Sequence, residues 1–162
     1  IKKQIMRYGV RMETFTDRLR TDLEHDEGVK YEIYLDHLHL PTFGIGHLVR
    51  KKDPESSMEV GDPISKERVE SAFEEDIATT IKDCKRIFKA WDTLPEEAKF
   101  VTANMCFQLG GPRFTKFKKT ISHCNNHKWV DMASEMRNSK WYTQTTARAE
   151  RLIKRILDLD QT

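Results

Sequence analysis

Cysteine is scarce in this chain: Cys84, Cys106 and Cys124 are an odd number with no Cys-x-x-Cys spacing. That leaves no basis for a disulfide framework or a zinc knuckle, and the three read as free, part-buried thiols. Seven glycines and five prolines in 162 residues are too few for a collagenous or linker-like chain. No internal repeat and no low-complexity tract is found. No apolar run approaches the roughly 20 residues that cross a bilayer, and no signal-peptide core is seen, so no membrane partner is expected. An excess of one charge is lacking too. With 28 basic and 26 acidic residues the formal charge is +2, too small to argue for a nucleic-acid partner.

What is present is 38% hydrophobic and 33% charged residues, the composition of a soluble and mostly helical globule. Two basic clusters, Arg113, Lys116, Lys118, Lys119 and Arg148, Arg151, Lys154, Arg155, read first as solvated helix faces, with an anionic polymer as the alternative. The start at Ile1 suggests a fragment, a processed product or an excised module.

Apolar residues at Met12, Phe15, Leu19 and Leu23 predict an amphipathic helix over 5–27, stopped by Gly28. Alternation at Tyr31, Ile33 and then Phe43, Ile45 predicts a hairpin with Asp36 on its first arm and Thr42 on its second. KKDPESSMEVGDP reads as a loop. Ser65 is the expected cap of a long helix whose apolar face runs Val69, Ala72, Phe73, Ile77, Ile81, Cys84 and Phe88. Asp76 shares that face and needs a partner, for which His47 is the choice. Thr93, Pro95 and Glu96 have the pattern of a helix start. The segment AKFVTANMCFQLGG is apolar nearly all round, as a central helix would be, with Gln108 near its end. Shorter helices follow around Phe114 to Ile121, Trp129 to Met136 and Ala149 to Leu157. Trp91, Trp129 and Trp141 read as core.

The stretch from Glu27 to His47 carries the chemistry: two carboxylates, a threonine hydroxyl and a Gly-Ile-Gly-His turn. Hydrolysis of a glycosidic bond needs one carboxyl held protonated for the leaving oxygen and another ionised to act on water. Glu27 suits the acid, Asp36 the base, and Thr42 a hydrogen bond to the water. Taken alone, a Glu and an Asp nine apart are common surface residues. His37 and His39 beside Asp36 raise a metal site, but an exposed hairpin tip is the commoner outcome, so neither metal nor cofactor is expected.

The order Asp26-Glu27-Gly28, Tyr34-x-Asp36, Pro41-Thr42 and Gly44-Ile45-Gly46-His47-Leu48 closely resembles the phage lysozymes of T4 type. Phe73 and Asp76, Asn104-Met105, Phe107-Gln108, Gly110, Trp141-Tyr142-x-Gln144-Thr145 and Arg148 extend the resemblance. It implies an α+β, mostly helical, two-lobed lysozyme fold with the active site between the lobes. One lysozyme domain over 1–162 is expected: a hairpin lobe at about 20–64, a connecting helix at 65–88 and a helical lobe at 89–162, on which the N-terminal helix packs.

The implied activity is an endo-acting muramidase that cleaves the β-1,4 bond between N-acetylmuramic acid and N-acetylglucosamine with inversion. The resemblance makes Glu27 the acid and gives the water to Asp36 and Thr42. Leu48, Phe107, Gln108 and Arg148 match substrate-binding positions, Arg148 being the arginine that pairs with the catalytic Glu, and His47 with Asp76 matches a buried ion pair. The implied partner is the glycan strand of peptidoglycan, met by a monomer or by part of a larger phage structural protein. The expected setting is the bacterial cell wall, reached from the host cytoplasm or from the virion. A non-catalytic peptidoglycan-binding or scaffold module of the same fold is the alternative. The chain departs from the family pattern at His39, where a Gly is usual, and at Phe117 and Glu135, which replace small polar residues.

Overall fold

Thr14 sets the first helix boundary. Its hydroxyl accepts from the Asp17 N–H and the Asp17 carboxylate accepts from the Thr14 N–H, a reciprocal capping box. The computed structural model describes residues 13–161 throughout and, before them, the backbone of a short antiparallel pair, Met6–Arg7 (β1) with Val10–Arg11 (β2). Helix α1 is therefore Phe15–Glu27 rather than 5–27, because the cap starts it and the strand pair occupies the chain upstream. Met12 lies outside the described residues. Gly28, at φ 72°, stops α1 as expected, and its N–H returns to the Glu24 carbonyl.

The chain divides into two compact units, 1–79 and 80–162. In the first, β3 (Lys30–Leu35), β4 (Pro41–Gly44) and β5 (His47–Leu48) form an antiparallel sheet in that order. Asp36 lies one residue beyond β3 rather than on it, and Ile45 lies in the turn to a third strand that the alternation pattern did not indicate. The other edge of β3 is covered by 61–64, through Gly61 N–H to the Ile33 carbonyl, Ile33 N–H to the Asp62 carbonyl and Ile64 N–H to the Tyr31 carbonyl. Leu19 and Leu23 of α1, Ile33, Phe43, Ile45 and Ile64 are buried with Val69, Phe73 and Ile77 of helix α2 (Lys66–Ile87). Each such side chain contributes about 1.5–3 kcal/mol. The Ser65 hydroxyl caps α2 by accepting from the Arg68 N–H.

The second unit is helical. Helix α3 (Glu96–Leu109) is buried continuously from Phe100 to Cys106, as its all-round apolar pattern requires. Pro95 begins it without a side-chain cap. Thr93 instead closes a 3₁₀ turn, Trp91–Thr93, by donating to the Ala90 carbonyl, so the capping pattern read at Thr93 is corrected. There follow α4 (Gly111–Phe114), α5 (Lys118–Asn125), α6 (Trp129–Arg137), the short α7 (Lys140–Gln144) and α8 (Thr146–Leu159). Met132 and Met136 of α6 and Ala149, Leu152, Ile153 and Ile156 of α8 are fully inside. All three tryptophans and all three cysteines are buried.

Candidate active site

Glu27 is the last residue of α1, and its carboxylate lies over the turn from β4 to β5. A Cβ built on Gly46 would stand 2.8 Å from Glu27 Oε1, and Gly46 has φ 66°. Only glycine allows both that backbone and that approach.

Asp36 builds the hairpin turn. Its Oδ1 accepts from the N–H groups of Leu38 at 2.8 Å and Leu40 at 2.9 Å, and its own carbonyl accepts from the His39 N–H. The turn puts His39 at φ 62°, the left-handed region where glycine is usual. Among the described residues, Oδ2 receives no hydrogen bond and so is available to a water. Thr42 is 3% exposed and sits opposite Tyr34 in the sheet. Its hydroxyl donates to the Leu40 carbonyl at 3.0 Å. With that proton committed, its oxygen is presented as an acceptor.

Tyr34 links these groups. Burial raises its phenol above the ordinary value, and the charges of Glu27 and Asp36 raise it further, so both carboxylates bear on one ring. The Lys30 ammonium lies 4.2 Å from the centre of the same ring. Neither Tyr34 nor Lys30 was assigned a role from sequence. The usable signal was the two-residue step from Tyr34 to Asp36, which on the extended arm read from the sequence gives both side chains the same face.

Behind the turn, His47 is 2% exposed and held from both sides. Nδ1 is 2.7 Å from Asp76 Oδ2 and Nε2 is 2.8 Å from Asp53 Oδ2. Two carboxylate partners require both nitrogens to carry protons. Burial pulls the imidazole down, but Asp76 and Asp53 outweigh it and leave it above its ordinary value. Burial raises Asp53, but the Arg50 N–H at 2.9 Å and His47 outweigh it and hold the carboxyl below its ordinary value. Arg68 grips Glu55 with two nitrogens, both at 3.1 Å or less. The segment 51–63 is thus a structural element, with a 3₁₀ turn at Pro54–Ser57 and the buried carboxylates of Asp53 and Glu55. Asp53 was missed in the sequence because it stands in a run read only as polar loop.

Of the remaining residues singled out, Leu48 is exposed on β5. In the second unit Phe107 and Gln108 are half-buried at the end of α3, and Gln108 accepts from the Trp141 indole N–H at 2.9 Å. Arg148 Nε donates to the buried Asn104 side chain at 2.9 Å. His37 and His39 are exposed, and no group of three metal-ligating side chains is assembled among the described residues.

A family model described as phage lysozyme matches residues 24–156. The chain belongs to the phage lysozyme family. A probable T4-type lysozyme 2 of Dictyostelium discoideum is 35% identical over 154 residues, covering 83% of this chain and 91% of that protein. The pre-baseplate central spike protein of Enterobacteria phage T4 is 28% identical over 153 residues, 83% of this chain but 27% of the spike protein. A peptidoglycan hydrolase of Pseudomonas phage phiKMV is 28% identical over 137 residues, 85% of this chain and 15% of that protein. As expected of a phage lysozyme, the fold combines a small antiparallel sheet with a majority of helix.

Proposed function

We propose that this phage lysozyme is an endo-acting muramidase that hydrolyses the β-1,4 bond between N-acetylmuramic acid and N-acetylglucosamine in bacterial peptidoglycan. The observation that carries the reading is that Glu27 lies against Gly46 of the β4–β5 turn while Asp36, its Oδ1 fixed by the hairpin turn and its Oδ2 open, begins the hairpin whose second arm carries Thr42. Family membership and relatives named as lysozymes and a peptidoglycan hydrolase support the substrate.

In the proposed reaction the Glu27 carboxyl gives its proton to the glycosidic oxygen as the bond to the anomeric carbon breaks. Water attacks that carbon from the opposite face and passes a proton to Asp36 Oδ2. The water donates one hydrogen bond to Asp36 and one to Thr42 Oγ, which leaves its lone pair directed at the sugar. That placement supports inversion, for which the carboxyls stand about 6.5–9.5 Å apart to admit a water. Glu27 recovers its proton from solvent. Leu48, Phe107, Gln108 and Arg148 are assigned to contact the glycan, and the clamp of Asp53 and Asp76 on His47 positions the Gly46 turn under Glu27.

The test is steady-state clearance of purified peptidoglycan by Asp36→Asn and Thr42→Val. Each is expected to lose about 10²-fold or more in rate with its fold retained. A loss below tenfold in both overturns the water-handling roles. The match to a baseplate spike protein favours a second reading, a murein-binding module within a larger phage structure. That reading requires the wild-type chain to bind sacculi without releasing reducing ends.

A further inference from the structure

The turn between β3 and β4 exposes apolar surface that the proposed hydrolysis does not use. Leu35, just before the turn, is 45% exposed, Leu38 within it 56%, and Leu40 just after it 42%. A second observation sets this turn apart from an ordinary solvent loop, because its backbone is satisfied from within. The Asp36 N–H donates to the Leu40 carbonyl at 3.0 Å, the His39 N–H to the Asp36 carbonyl at 2.9 Å, and the N–H groups of Leu38 and Leu40 to Asp36 Oδ1 at 2.8 and 2.9 Å. Such a turn gives up little hydrogen bonding when it meets an apolar medium. The third observation is charge. The Val49 N–H donates to the Pro41 carbonyl and the Asp53 N–H to the Arg50 carbonyl, so the chain turns back beside the end of the hairpin. Lys51 and Lys52 stand exposed there, with no ion-pair partner among the described residues. Asp53 and Glu55, the acidic residues that follow, are buried against His47, Arg50 and Arg68 and do not offset them.

We infer that this hairpin tip is a docking surface for an anionic phospholipid bilayer, with the leucines entering the acyl boundary and Lys51 and Lys52 held at the headgroups. Leucines ahead and cations behind match the order in which a membrane surface presents negative charge and hydrocarbon. A protein groove would meet one side of a hairpin, whereas the apolar side chains here stand before, within and after the turn. His37 and His39 alternate with the leucines, and their ring nitrogens suit the headgroup layer. Only leucine side chains need leave water, and the hydrogen bonds of Asp36 to the turn are kept. Among the described residues no helix is long and apolar enough to cross a membrane, which bears on spanning and not on surface docking.

The test is flotation of the full chain at low salt with vesicles of mixed phosphatidylglycerol and phosphatidylcholine, and with phosphatidylcholine alone. Wild type is expected to partition at least tenfold better onto the mixed vesicles. Leu38→Ser with Leu40→Ser is expected to weaken that partition about 25-fold, and Lys51→Ala with Lys52→Ala by about the same factor, the lysine effect fading in about 0.5 M salt. Melting temperatures are expected to stay unchanged, because all four side chains are exposed. Leu38→Trp reports depth: its emission is expected to shift to the blue on mixed vesicles and to be quenched by lipids brominated in the acyl chain. Absent flotation, equal flotation on phosphatidylcholine alone, or unchanged emission from Leu38→Trp overturns the inference. Dimerisation without lipid that the leucine variant abolishes overturns it too, and makes the tip an interface between copies. Flotation requires no hydrolysis, so it stands or falls apart from the muramidase reading. Cleavage of soluble peptidoglycan oligosaccharides is expected to stay within threefold in the leucine variant, and a larger loss assigns the leucines to the glycan and overturns docking.

Discussion

Replacing Asp53 by alanine tests how the Gly46 turn is held in place. Asp53 is 6% exposed and accepts two hydrogen bonds, from the Arg50 N–H at 2.9 Å and from His47 Nε2 at 2.8 Å. The first is a neutral donor worth about 1 kcal/mol, and the second, between charged groups, about 1.5–3 kcal/mol. The expected cost is about 3 kcal/mol, or a fall of about 6–12 °C in melting temperature for a domain of this size. The pH dependence distinguishes this from simple loss of packing. His47 is raised in the folded state, so its contribution is complete below its unfolded value of about 6.5 and fades as pH climbs through the higher folded value. Asp53 is lowered, so its contribution is complete above its unfolded value of about 3.9 and fades as pH falls through the folded one. The gap between wild type and Asp53→Ala is therefore widest from about pH 4 to 6.5 and narrower at pH 9. Urea melts at pH 5.5 and 9 measure it. A gap below about 1 kcal/mol at pH 5.5, or one that widens at pH 9, refutes the clamp.

Two further substitutions probe the turns. Gly46→Ala adds a Cβ 2.8 Å from Glu27 Oε1 at φ 66°, so the carboxylate is displaced. A stability loss of about 1–2 kcal/mol and a more than tenfold loss of lytic rate are expected in melting and turbidity assays, and wild-type rate contradicts the contact. His39→Gly removes left-handed strain of about 1–2 kcal/mol against an entropic cost of about 0.5–1 kcal/mol. A net gain of up to about 1 kcal/mol is expected in urea melts, whereas a loss of that size shows that the imidazole makes a stabilising contact.

Periodicity made the long elements legible. The apolar face of α2 and the encircled α3 follow directly from residues such as Val69, Phe73 and Ile77, or Phe100 to Cys106, because burial selects side chains at helical spacing. Short elements carry too few periods for that signal. The two-residue strand β5, the five-residue α7 and the pair β1–β2 are set by backbone pairing and neighbouring caps rather than by their own pattern. At the site, Glu27, Asp36 and Thr42 were legible as residue types in order, and Asp76 as a carboxylate on an apolar face. Asp53 was not, because nothing local marks an aspartate in a polar run as buried until the chain folds it against His47. The Thr93, Pro95, Glu96 pattern misled because a 3₁₀ turn uses the Thr93 hydroxyl first.

The most direct test is mass spectrometry of the fragments released from purified peptidoglycan by the wild-type chain and by Glu27→Gln. Wild type is expected to release muropeptides ending in reducing N-acetylmuramic acid, and the variant, folded by circular dichroism, none above background. Release of reducing N-acetylglucosamine ends, of peptides alone, or of equal product by Glu27→Gln contradicts the assignment of Glu27 as the acid of a muramidase.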